Sequence, residues 1–151
     1  MLEEAAMVRN YLEQGAHFYP MWKVRTELGI AGLCEELRHA YEGTDDVYVH
    51  FDMDILGGAG PAPGDILGEL AVPMGMTDYE IIRLAHEIGK RGLTGMSFIC
   101  IPPGSMVTYR LIVYIIAFLI AGLALSRRNR LAVSDPVEMG TRIRLSARCD
   151  L

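Results

Sequence analysis

Cysteine is scarce in this chain: three in 151 residues, at 34, 100 and 149, with no Cys-x-x-Cys pair. That spacing excludes a zinc knuckle and a disulfide framework. It suits a reducing compartment, so a cytoplasmic location is expected. Positive charge is also short, with 14 Lys and Arg against 19 Asp and Glu for a net charge of −5. A nucleic-acid binder held by its overall charge is thereby excluded. Aromatic residues make up 8%, with Trp22 the single tryptophan. No Gly-x-Ser-x-Gly elbow is present, and Gly58-Ala59-Gly60 lacks the third glycine and the Lys-Ser/Thr of a phosphate loop. The opening Met1-Leu2-Glu3-Glu4 is acidic and no apolar run follows it, so no signal peptide is expected.

What is present is a chain of single-domain length, 51% hydrophobic and 22% charged, which excludes intrinsic disorder. Charge is unevenly spread. Residues 1–125 hold 8 basic and 16 acidic side chains, whereas residues 126–151 hold six arginines against three acids. The division expected is a folded part over 1–125 and a basic C-terminal tail over 126–151, solvated or loosely packed. A basic patch for an acidic partner or lipid headgroups is the sharper alternative for that tail.

Periodicity predicts helices over Leu2–Gln14, stopped at Gly15, and over Gly29–Tyr41, with an irregular stretch from His17 to Arg25 between them. Val47–Asp54 is β-branched and aromatic and reads as a central parallel strand buried on both faces. Gly57–Gly64 reads as a loop. Thr77-Asp78-Tyr79-Glu80 is a capping box opening a helix that ends at Lys90-Arg91-Gly92. Met96–Ile101 is a second short strand, and Val107–Leu125 is the last helix. Strand, capped helix, strand, helix is the βαβ order of a parallel sheet.

Leu111–Leu125 is uncharged over 15 residues, roughly 22 Å as a helix against a hydrocarbon core of about 30 Å. Counting from Met106 reaches membrane length but encloses Arg110, with Arg127, Arg128 and Arg130 following. A helix buried all round against a sheet is the expected reading, with no membrane partner. A small membrane-anchored protein spanning at 106–125 is the alternative.

Asp52 and Asp54 close the clearest strand. At spacing i, i+2 on a strand, two side chains leave the same face roughly 6.5–7 Å apart. In open α/β sheets, ligands bind beyond the carboxyl ends of strands. Two carboxylates there repel unless a cation lies between them, and hard divalent ions such as Mg²⁺ and Mn²⁺ prefer oxygen ligands. The plainer alternative is one aspartate capping the following loop and the other in solvent. His50, two residues before Asp52, shares that strand face and could reach a metal; the plainer reading is a buried histidine packed beneath the site.

Phe51-Asp52-Met53-Asp54 looks like the opening of the Phe-Asp-x-Asp-Gly-Thr run of haloacid-dehalogenase-like phosphatases, but Ile55-Leu56 departs from it. A longer match runs over residues 47–125, which resemble the C-terminal half of the ureohydrolases, the arginase and agmatinase family. Its blocks are His50-Phe51-Asp52-Met53-Asp54, the loop Ala59-Gly60-Pro61-Ala62-Pro63-Gly64, Gly75-Met76-Thr77-x-x-Glu80, and Gly95-Met96-Ser97-Phe98-Ile99-Cys100-Ile101-Pro102-Pro103. The last resembles the family's Gly-x-Asp-x-x-Glu-x-Asn-Pro. Residues 28–46 extend the resemblance more weakly.

The resemblance implies an α/β fold, a three-layer αβα arrangement with a mostly parallel sheet, of which this chain is about half a domain. It implies hydrolysis of guanidino or amidino C–N bonds with two Mn²⁺ ions, Asp52 and Asp54 each being a metal ligand. The departures are specific. The family's Asp-x-His-x-Asp motif is absent, its Asp falls at Ser97, its substrate-facing Glu falls at Cys100, and its Asp-Pro falls at Gly57-Gly58. Cys100 is expected to be a small buried thiol. Half of such a sheet leaves an apolar edge, so a homo-oligomer or a partner chain supplying the missing half is expected. A truncated or inactive form, or a non-catalytic partner subunit, is the further alternative.

Overall fold

Two parallel strands and the helix between them carry the architecture. The computed structural model describes residues 2–44, 46–56, 75–101 and 103–134, with side chains over 6–44, 46–56, 75–101 and 103–128. The element order is α1 Leu2–Glu13, α2 Met21–Lys23, a π turn Val24–Leu28, α3 Gly29–Glu36, a 3₁₀ turn Leu37–Tyr41, β1 Tyr48–Asp52, a 3₁₀ turn Met53–Ile55, α4 Asp78–Arg91, β2 Gly95–Ile99 and α5 Met106–Ser134. The chain is therefore mixed α/β with a small parallel sheet, as the βαβ order predicts. The loop expected at Gly57–Gly64 and the residues from 135 onward lie outside the described residues.

β1 pairs β2 in parallel register, Tyr48 opposite Gly95 and Asp52 opposite Ile99. Thr94 anchors the start of the pair, its amide and hydroxyl both donating to the Val47 carbonyl. The flanks of residues 57–74 meet as well: Leu56 bridges Met76, and the Met76 amide donates to the Ile55 carbonyl at 2.8 Å.

Side chains alternate along β1. Phe51 is buried and stacks on Phe98 with ring centroids 5.0 Å apart, whereas Tyr48 and His50 on the other face are exposed. The expectation of a strand buried on both faces is thus corrected. Among the described residues, helices cover one face only, so Tyr48 remains 63% exposed.

α4 begins as its sequence dictates. Thr77 accepts from the Glu80 amide and Glu80 accepts from the Thr77 amide, a complete capping box. Gly92 stops the helix at φ 101°, a conformation that costs an L-residue with a Cβ. Ile81, Ala85 and Ile88 form its buried stripe. They join Phe51, Met53, Leu56, Leu111, Ile115 and Leu119 in one core. Arg25 reaches across from the π turn to Glu80 and donates to the Gly75 carbonyl at 3.1 Å. The N-terminal helical segment is thereby tied to the start of α4.

Three further expectations change. The helix expected over Gly29–Tyr41 tightens to 3₁₀ geometry after Glu36, and part of the stretch read as irregular before Arg25 is helical. The last helix starts at Met106, where Ser105 caps it by accepting from the Thr108 amide, and continues past Leu125 through Arg127 and Arg128 to Ser134. It is not buried all round. Thr108, Leu111, Ile115, Leu119 and Gly122 form one buried stripe against α4, while Val113 and Ile120 on the opposite side are 64% and 56% exposed. Its partner is therefore a helix that covers one stripe rather than a sheet that would cover a whole face.

Candidate functional site

The carboxyl ends of β1 and β2 lie side by side because the strands are parallel and in register. β1 ends at Asp52 for a local reason. The Asp52 carboxylate accepts from the Asp54 amide at 3.5 Å and caps the 3₁₀ turn Met53–Ile55. Asp54 therefore lies in that turn and not on the strand, which corrects the same-face geometry expected for an i, i+2 strand pair. The turn still brings the two carboxylates together. The capping role read as the plainer alternative is real for Asp52, but Asp54 is half-buried rather than in solvent.

β2 ends at Ile99, opposite Asp52, and Cys100 follows with φ +53°, the left-handed region. Asp52, Asp54 and Cys100 each present a ligand atom, and these atoms lie within 4.8 Å of one another. Among the described residues this is the one such cluster of His, Cys, Asp and Glu donors. Cys100 is half-exposed and faces a carboxylate, which corrects the expectation of a buried thiol.

The three groups perturb one another. The hydrogen bond from the Cys100 thiol holds the Asp52 carboxyl below its ordinary value. Partial burial, then the charge of Asp52, pushes Asp54 up. The same hydrogen bond to Asp52 pushes the Cys100 thiol up to about 11. One carboxyl is thus shifted down and its neighbour up, the pattern of two acids close together.

His50 stands on the open face and is exposed, which corrects the reading of a buried strand histidine. Its Nδ1 lies 2.6 Å from the Ser97 hydroxyl of the register-paired residue. It is not among the three converging donors. Gly75-Met76-Thr77 and Glu80 form the turn into α4, as their spacing suggests. Gly57-Gly58, the loop 59–64 and Pro102 lie outside the described residues.

Cys100 is the residue that sequence reasoning under-read. Its position near the end of the second predicted strand was the available signal; the strand end at Ile99 and the register that sets it against Asp52 were not visible. A groove of about 690 Å³ between α4 and α5, lined by Arg83, His86, Arg110, Tyr114 and Phe118 among others, is separate from this cluster. The converging donors at the strand ends, rather than this groove, form the candidate site.

Comparison with known proteins adds one finding. A family model described as Arginase family matches residues 3–121. That match reaches from α1 into α5, further upstream than the residues that carry the sequence resemblance. No curated protein matches the chain.

Proposed function

The chain belongs to the arginase family, and on that premise we propose that it carries part of a ureohydrolase-type site acting on the C–N bond of a guanidino or amidino small molecule. One observation carries the reading: Asp52 and Asp54, from a strand end and the turn after it, converge with a third donor within 4.8 Å. The donor set fits a divalent ion. Two hard oxygens face each other, and partial burial and then the Asp52 charge push the Asp54 carboxyl up. Asp52 and Asp54 would hold the ion, with Mn²⁺ the one the family resemblance suggests. The chemistry such an ion supplies is Lewis acidity and activation of water.

Three donors suit one ion. A second needs ligands of the Asp-x-His-x-Asp kind, which this sequence lacks. A partner chain or a second copy is the proposed source, and the exposed apolar side of α5 supports an assembly. His50, with Nδ1 bonded to Ser97, stays outside the donor set. Cys100 at the family's Glu position removes an anion that would face a guanidinium, so weak retention of a cationic substrate is part of the reading. That same departure favours the second reading, a non-catalytic subunit of a ureohydrolase-like assembly, in which the ion binds but no urea is released.

The test is Mn²⁺ calorimetry on the full chain beside the Asp52→Asn/Asp54→Asn double variant, followed by urea-release assays with guanidino compounds. Binding that the double variant abolishes supports the site. Binding that survives it overturns the assignment.

A further inference from the structure

We propose that Cys100 is the third ligand of the Asp52–Asp54 site, and that its sulfur tilts the site from Mn²⁺ toward Zn²⁺ and other borderline-soft divalent ions. The proposal rests on the reading of Asp52 and Asp54 as metal ligands and adds a donor of different chemistry. The geometry comes from two separate elements. The register sets Asp52 opposite Ile99, and the residue after Ile99 turns with φ +53°, so that its sulfur meets the two carboxylates.

Donor atoms around a four-coordinate ion, with metal–oxygen and metal–sulfur distances of about 2.1 and 2.3 Å, lie about 3.5 Å from one another. The three atoms here lie within 4.8 Å, so a modest closing of side chains brings them onto one ion. The other described thiol, Cys34, is buried at 4% exposure on α3 and is not part of this cluster.

Softness then decides preference. Carboxylate and water ligands suit Mn²⁺, whereas a thiolate strengthens binding to Zn²⁺ and Co²⁺ far more than to Mn²⁺. Binding exchanges the S–H bond for a sulfur–metal bond, and the thiol proton leaves to solvent, so uptake of the ion releases a proton. A carboxylate-only pair would show no sulfur contribution and a weaker preference.

The experiment titrates the full chain with Co²⁺ while recording the thiolate-to-cobalt charge-transfer band in the near ultraviolet, and with Zn²⁺ and Mn²⁺ by calorimetry. Cys100→Ser is run in parallel, its fold checked by circular dichroism. The expected result is a band in the parent chain that Cys100→Ser lacks. With it, Zn²⁺ affinity falls at least about tenfold while Mn²⁺ affinity changes by less than about threefold. Cobalt binding without the band, a band that persists in Cys100→Ser, or unchanged Zn²⁺ affinity overturns the role of Cys100 and leaves Asp52 and Asp54 as ligands. Failure of the parent chain to bind any of the three ions overturns both readings.

Discussion

Gly122 of α5 sits so close to His86 of α4 that a Cβ on the glycine would overlap the His86 carbonyl oxygen and come within 2.8 Å of the Lys90 amide nitrogen. The relation is reciprocal, because a Cβ on Gly89 would overlap the Leu119 carbonyl oxygen. Two hydrogen-only positions thus let the helix backbones touch. That crossing seats Leu111, Ile115 and Leu119 in the same core as Ile81, Ala85 and Ile88.

Gly89→Ala and Gly122→Ala should each destabilise the fold by about 1–3 kcal/mol, because the obstructing atoms are backbone and the helices must separate. Urea unfolding measures this. Ala121→Ser, on the exposed side of α5, should stay within about 0.5 kcal/mol. Equal effects at all three positions would mean that the close crossing does not contribute to stability.

α5 is long and apolar enough to cross a membrane. Extraction from the core would nevertheless expose the buried stripe of α4 and leave Ile81, Ala85 and Ile88 without a partner. Carbonate extraction of membranes should therefore leave the full chain in the soluble fraction. Firm retention in the pellet would favour the spanning alternative at 106–125.

Glu80 links stability to pH. Burial works to raise its pKa, but the Thr77 amide and the Arg25 guanidinium outweigh burial, and the carboxyl lies below its ordinary value of 4.5. A depressed carboxylate stabilises the fold at pH above the unfolded value, and that contribution declines as pH falls through the folded one. Glu80→Gln should flatten the acid limb below about pH 5 in stability-versus-pH curves and cost about 1–2 kcal/mol at pH 7. An unchanged acid limb would show that other groups control it.

Much of the fold was legible because its signals are local. The capping box at Thr77–Glu80 and the stop at Gly92 are relations between residues within one turn of each other, and they place α4 at both ends. The parallel pair followed from an order of elements. The aspartates were legible as a pair at a strand end, since their spacing and position need no partner. His50 was not: alternation places it on the face of Asp52, but whether that face is covered depends on what packs there.

By itself the sequence determined both ends of α4, the parallel βαβ order and the presence of two carboxylates at a strand end. Periodicity, caps and turns are short-range and act before any tertiary contact forms. Only the tertiary structure decided that Asp54 leaves the strand, that Cys100 meets Asp52, and that α5 buries one stripe and exposes another. Those outcomes depend on strand register and on a glycine-to-backbone crossing between distant segments. Hydrophobic patterning says which side of an element seeks cover; the register and the close approach of backbones decide what covers it and which side chains then converge.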